Sequence, residues 1–212
     1  MSSKFFQTDA KTKIVEAVRE VESQSSAEIV VSVRGRSDDY RDVDMLAGVA
    51  VALVTIFVLI FHPREMDEEL MPLETLAAFA FGSILVSRVG ALKRALISTR
   101  RMKERVLSAA RAHFVEAGVS RTRDRSGILV FVSELERAVS IVPDIGIETA
   151  KLGAEWNAAV ARLEAATQQL DVDGVAAALR ALGPVLGKAY PRREDDVNEL
   201  PDSPDMKTET AR

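Results

Sequence analysis

No cysteine occurs in these 212 residues, so disulfides, thiolate nucleophiles and cysteine-type zinc sites are excluded. Histidine is nearly as scarce. His62 and His113 lie far apart in the chain without a set of companions, which leaves a histidine-based zinc site short of ligands. An excess of positive charge is missing too: the formal net charge is -4, and nucleic-acid binding needs a basic field, so no nucleic-acid partner is expected. Neither GxGxxG nor GxxxxGK followed by Ser or Thr is present, so no glycine-rich phosphate cradle is written into the chain. No repeat at solenoid or propeller period is visible.

Long apolar runs, by contrast, are present. Residues 45–61 (MLAGVAVALVTIFVLIF) carry no charge and match the roughly 17-residue minimum for a helix that crosses a bilayer. Residues 75–87 (TLAAFAFGSILVS) are too few alone, but the run extends through Val89, Gly90, Ala91 and Leu92 if Arg88 lifts its guanidinium to the headgroups. An Arg at mid-bilayer costs about 2.5–3.5 kcal/mol, and less near a helix end. Basic residues flank the pair: Arg34, Arg36 and Arg41 before it, and Arg88, Lys93, Arg94, Arg100, Arg101, Lys103 and Arg105 after it. The connection HPREMDEELMP has one Arg against four carboxylates. This is the positive-inside pattern, so the expectation is a two-span hairpin with both termini cytoplasmic and membrane lipid as its first partner. The first run begins too late to be a removable signal peptide. The competing reading is a pair of helices buried in a soluble core. Gly48, Ala50, Ala52, Ala77, Ala78 and Gly82 would let the two helices approach closely.

Mean hydropathy is only +0.04, so most of the chain is not membrane. About 140 residues remain outside the hairpin and a polar tail, enough for one domain. Ile14, Ala17, Val18 and Val21 recur at helical spacing after Thr8 or Asp9 as cap. Residues 27–33 (AEIVVSV) read as a strand, and residues 127–133 (GILVFVS) as a strand buried on both faces. Residues 138–142 (AVSIV) return antiparallel beside it, and Pro143 ends them. A helix is expected over residues 91–117, stopped by Gly118, with His113 partly buried on its apolar face and bonded to backbone. Two more follow, one along Leu152, Trp156, Val160 and Leu163, the other along Val175, Leu179, Leu182 and Leu186 with a kink at Pro184. Residues 191–212, with three prolines and few apolar side chains, are expected to be disordered.

The block TRDRSGILVFVSELERAVSIVPDIGI, residues 122–147, resembles the TPM domain family, in particular its bacterial membrane-protein branch. The family includes a thylakoid-lumen factor of photosystem II repair and an animal regulator of acetylcholine receptors. The matching positions are Thr122, Asp124, Gly127, Ile128 and Leu129; Ser133, Leu135, Glu136, Arg137 and Val139; and Asp144, Gly146 and Ile147. The resemblance extends over residues 8–34 and 95–190 and does not cover the acidic tail. It implies an α/β fold with a small four-stranded mixed sheet sandwiched by helices, phosphatase activity in some members, divalent-cation binding in others, and assembly or repair roles around membrane complexes. Many relatives face a lumen or periplasm, from which the inserted hairpin here departs.

Asp124 and Asp144 flank the two central strands. If their loops converge, two carboxylates with waters and a carbonyl could bind Ca²⁺ or Mg²⁺ and polarise a phosphoryl group; alternatively, each caps a turn through nearby amides. Glu134 is a solvated charge, and Glu136-Arg137 is a loop anchor more readily than an acid/base pair. Ser133 lacks a sequence-visible base and is not a nucleophile, so no catalytic residue is assigned. The expected organisation is residues 1–42 and 93–190 as one TPM-like domain, residues 43–92 as the transmembrane hairpin, and residues 191–212 as tail. The expected protein sits in the bacterial cytoplasmic membrane and binds or assists a membrane protein, with no required cofactor. A metal-dependent phosphatase, or a Ca²⁺ or Mg²⁺ module without turnover, is the alternative.

Overall fold

The computed structural model describes residues 4–62, 69–193 and 198–210. In chain order the elements are α1 (Thr8–Glu22), β1 (Glu28–Arg36), α2 (Arg41–Phe61), α3 (Met71–Arg88), α4 (Gly90–Leu96) and α5 (Thr99–Glu116). They continue with β2 (Gly127–Ser133), β3 (Ala138–Pro143), α6 (Thr149–Gln169), α7 (Val172–Arg180), α8 (Leu182–Ala189) and β4 (Asp205–Thr210). Contacts divide the chain into two compact units, Met1–Asp38 with Met102–Arg212, and Asp39–Arg101.

The first unit is built on a four-stranded mixed sheet in the order β3-β2-β1-β4. β1 pairs with β2 and with β4 in parallel, and β2 pairs with β3 antiparallel. Both central strands are buried throughout, apart from the last two residues of β1. Their β-branched runs therefore need no polar alternation. Ile29, Val31 and Val33 join Ile128, Val130 and Val132 on one face, against Ile14 and Val18 of α1, Leu163 of α6, Leu179 of α7 and Leu186 of α8. Val30, Leu129 and Phe131 face the other way, onto Val106 and Ala110 of α5. Trp156 is core, as its stripe implies. Pro184 falls in the first turn of α8 rather than at a kink, where its missing N–H is no loss.

The tail is corrected. β4 forms from residues that composition assigned to disorder, through main-chain pairing with β1 and an ion pair from Asp205 to Arg34. Neither depends on apolar content, so composition is blind to both. β1 also runs on to Arg36, past the expected end at Val33, because β4 pairs along this extension. Residues 194–197 and 211–212 of the tail lie outside the described residues.

In the second unit α2 packs on α3 through glycine. A Cβ on Gly48 would stand 2.1 Å from Ser83 Oγ and 2.7 Å from the Phe79 carbonyl oxygen, and one on Gly82 would stand 2.8 Å from Val51 Cγ2. The contact lies nearly the same distance along each helix from the connection, which makes the pair antiparallel. Three boundaries differ from expectation, the first being the start of the unit at Asp39 instead of residue 43. α3 stops at Arg88 instead of continuing to Leu92, because Val89 leaves the helical region (φ −104°, ψ 89°) and α4 departs at 99°. The unit reaches Arg101 instead of residue 92. Lys93 is buried and donates to Asp44 (2.9 Å) and to the Asp39 carbonyl (3.0 Å), while Arg101 grips Asp42 with two bonds of 2.7 and 2.8 Å. These ion pairs tie the basic flank back to the start of α2. The single helix expected over residues 91–117 is consequently two, α4 and α5. Most of the acidic connection, residues 63–68, lies outside the described residues.

Candidate functional site

The block of matching residues forms a clamp between the loop before β2 and the turn after β3. Thr122 is buried and its hydroxyl accepts the Ser126 N–H at 3.0 Å. The Asp144 N–H donates to the Gly127 carbonyl at 2.8 Å, and the Gly146 N–H donates to the Arg125 carbonyl at 2.9 Å. Gly146 is needed for this approach, because a Cβ there would lie 2.3 Å from the Asp124 carbonyl oxygen. Ile128 is fully buried beneath the clamp and Ile147 nearly so. The two loops therefore converge as the strand order suggested, through their backbones.

The carboxylates proposed for a cation have arginine partners. Asp144 is buried; Arg125 donates to it from Nε at 2.7 Å and Nη2 at 2.9 Å, and the Ile145 N–H adds a bond of 2.8 Å. Burial pushes its carboxyl up, but the Arg125 fork and that amide outweigh burial and hold it below the ordinary value. Asp124 pairs with Arg193 at 3.0 Å. Among the described residues, no group of three or more His, Cys, Asp or Glu is placed to hold a metal ion.

The hairpin between β2 and β3 is anchored by Glu136. This buried carboxylate accepts the Ser37 N–H at 3.0 Å and the Ser133 hydroxyl. Arg137 turns the chain at φ 49° and donates to the Gln168 carbonyl at 3.4 Å. Ser133 is thus a donor to a structural carboxylate, and Glu136 is the loop anchor.

A second cluster was not assembled from the sequence. Arg34 on β1, His113 on α5 and Asp205 on β4 meet beside a cleft of about 500 Å³ that Glu116 and Lys207 also line. Arg34 donates to the Asp205 carboxylate at 2.6 Å, to the Asp205 carbonyl at 2.9 Å and to the Val33 carbonyl at 3.3 Å. Its Nη2 lies 3.4 Å from His113 Nδ1. His113 stands 3.6 Å from Glu116 on one nitrogen and 3.6 Å from Asp205 on the other. Charged side chains, instead of the backbone group expected, are therefore its neighbours. Burial, then the Arg34 charge, lowers its pKa against the pull of Asp205 and Glu116, so the imidazole is neutral near pH 7. Burial raises the Asp205 carboxyl, but Arg34 outweighs it and keeps the group ionised. The helical periodicity that put His113 on an inward face was the one signal available. Its partner Asp205 lay in a stretch read as tail.

A smaller cleft of about 240 Å³ is lined by Glu22, Glu28, Arg19, Arg192, Asn198 and Asp202. Glu22 Oε1 accepts the Ile29 N–H at 3.1 Å. Burial, assisted by the charges of Glu28 and Asp202, pushes the Glu22 carboxyl up to about 8 against that amide bond and Arg192.

No family model matches the chain, and no curated protein matches it. A solved structure does: the NMR structure of the BA42 protein from the psychrophilic bacterium Bizionia argentinensis. It is 17% identical over 98% of this chain and 99% of that one, with a TM-score of 0.59. At that identity the likeness shows the fold alone.

Two carboxyls give opposite pH signatures. Asp144 is depressed when folded, so its contribution is present above about pH 4 and is lost as pH falls through the lower folded value. Asp144→Asn will lower stability at pH 7 by about 1–3 kcal/mol and remove that part of the acid loss, as read by urea unfolding across pH. Glu22 is raised from 4.5 to about 8, so its contribution is complete below its ordinary value and is lost as pH rises through about 8. Glu22→Gln will flatten the decline of melting temperature across this interval; a decline as steep as in the parent chain would reject the assignment.

Proposed function

We propose that this chain is a membrane-anchored, TPM-like protein of the bacterial cytoplasmic membrane whose α/β body engages another membrane protein. One observation carries the anchoring. Along α2 and α3 the large apolar side chains point outward: Leu46 is 72% exposed, Phe57 63%, Phe81 64% and Ile84 56%, among more than a dozen on the two helices. The most apolar window of α2 has a mean hydropathy of 2.6 and is only 17% buried. Core helices of a soluble protein hide such faces. Leaving them in water would forgo roughly 20–40 kcal/mol of burial, whereas lipid covers them at no such cost.

Length supports the same reading. At 1.5 Å per residue the 21 residues of α2 rise about 32 Å and the 18 of α3 about 27 Å, against a hydrocarbon core of about 30 Å. α3 is long and apolar enough to cross only when α4 is counted with it. On this reading α3 and α4 together make the second span, broken by 99°, with Arg88 lifting its guanidinium toward the headgroups. Basic flanks put both termini on the cytoplasmic side. The clamp around Asp144 and Glu136 supports a binding module over an enzyme, since its polar side chains are engaged in holding loops.

The absence of cysteine makes the topology directly testable. Glu69→Cys will react with a membrane-impermeant maleimide in intact spheroplasts, and Lys188→Cys only after permeabilisation, with the chain resistant to carbonate extraction. Equal labelling at both positions, or release by carbonate, would refute the anchoring. A monomer that recovers no reproducible membrane-protein partner from mild detergent would refute the binding role.

A further inference from the structure

The outer edge of β1 is covered by a strand whose anchors are few and chemically distinct. β4 pairs with β1 in parallel, with Asp205 opposite Ser32, Met206 opposite Val33, Lys207 opposite Arg34 and Thr210 opposite Arg36. The register shifts between Arg34 and Arg36, and parallel pairing is the weaker kind per residue. Met206 is the one apolar side chain among the described residues of the strand that packs on the main core. Lys207 and Thr208 are exposed. The strand's side-chain bonds to β1 include Asp205 on Arg34, with side chains 38% and 5% exposed, and Thr210 Oγ1 accepting from Arg36 Nε at 2.8 Å. Arg34 belongs to the central strand, and under a strand on this edge its guanidinium favours a carboxylate partner, as Asp205 provides. Beside the ion pair the cleft of about 500 Å³ stays open, with room for a longer acidic side chain.

We propose that the edge of β1 is a strand-addition site for the membrane-protein partner, taking an extended segment in which a carboxylate is followed by an apolar side chain, and that β4 is its resident occupant. Main-chain bonds to Ser32 through Arg36 supply affinity. Arg34 reads the carboxylate, and the core surface under Met206 reads the apolar residue. The resident strand competes from within the chain at an effective concentration in the millimolar range, so a partner succeeds when the bilayer holds it alongside. This inference rests on the reading of the body as a partner-binding module, and it names the chemistry of the segment bound.

The test uses the full chain in detergent micelles and a fluorescent peptide of residues 203–210 (SPDMKTET) as probe. Asp205→Asn weakens the resident strand while leaving Arg34 in place. This variant will bind the peptide at least about tenfold more tightly than the parent chain, and the peptide with Asn for its Asp will bind at least about tenfold more weakly. Equal affinity of the two peptides, no binding to the variant, or equal binding by variant and parent would overturn the proposal. So would an unfolded variant, judged by circular dichroism, since β4 would then be an obligatory part of the domain. Concentration-dependent dimers that need Asp205 would assign the edge to a second copy of this chain and overturn it as well. None of these readouts depends on recovering a membrane-protein partner from mild detergent, so failure here is distinguishable from failure of the partner-binding reading.

Discussion

A guanidinium buried in the central strand constrains the first unit more than any other group. With β4 in place the Arg34 side chain is 5% exposed, and Asp205 meets its charge at 2.6 Å. That pairing turns the end of the chain into a fourth strand. It carries β1 beyond Val33 to Arg36, and it places a neutral His113 between two carboxylates. The cleft beside it is lined by His113 and Glu116 from α5 and by Asp205 and Lys207 from β4.

The second constraint is the insertion between β1 and β2. These strands are neighbours in the sheet, with Glu28 opposite Gly127 and Arg34 opposite Ser133, although the whole helical unit separates them in sequence. The inserted unit holds itself together with its own glycine contact and its own ion pairs, Lys93 with Asp44 and Arg101 with Asp42. A self-contained insertion leaves the sheet's register untouched, and this lets one chain combine an α/β body with an apolar hairpin.

How much could be read from the residues follows from where each element's information lies. GILVFVS declared a strand buried on both faces because its period-free apolar run is short and bounded by polar residues. The stripe through Leu152, Trp156 and Leu163 declared a buried helix face. The clamp was half legible: Asp144 was recognised as a turn residue, and its bond to the Ile145 amide bears out the capping alternative, but the Arg125 fork needed the folded loop. The break at Val89 is one residue's backbone geometry in an apolar stretch, with no residue type announcing it. β4 was invisible because its attachments are main-chain bonds, the Asp205–Arg34 pair at a sequence separation of 171 residues, the Thr210–Arg36 bond and a single apolar side chain, Met206. With β4 unseen, Asp205 could not be joined to Arg34 and His113.

A double-mutant cycle on Arg34 and Asp205 tests the governing pair most directly, with unfolding of the detergent-solubilised chain followed through Trp156, its single tryptophan. The account predicts that Asp205→Ala alone costs about 2–3 kcal/mol, below the figure for a fully buried pair because the Asp205 side chain is 38% exposed. It also predicts that adding Arg34→Met returns most of that loss, a coupling of about 2 kcal/mol. Additive effects within about 0.5 kcal/mol would show that the buried charge does not hold the end of the chain to the central strand, and would contradict the account.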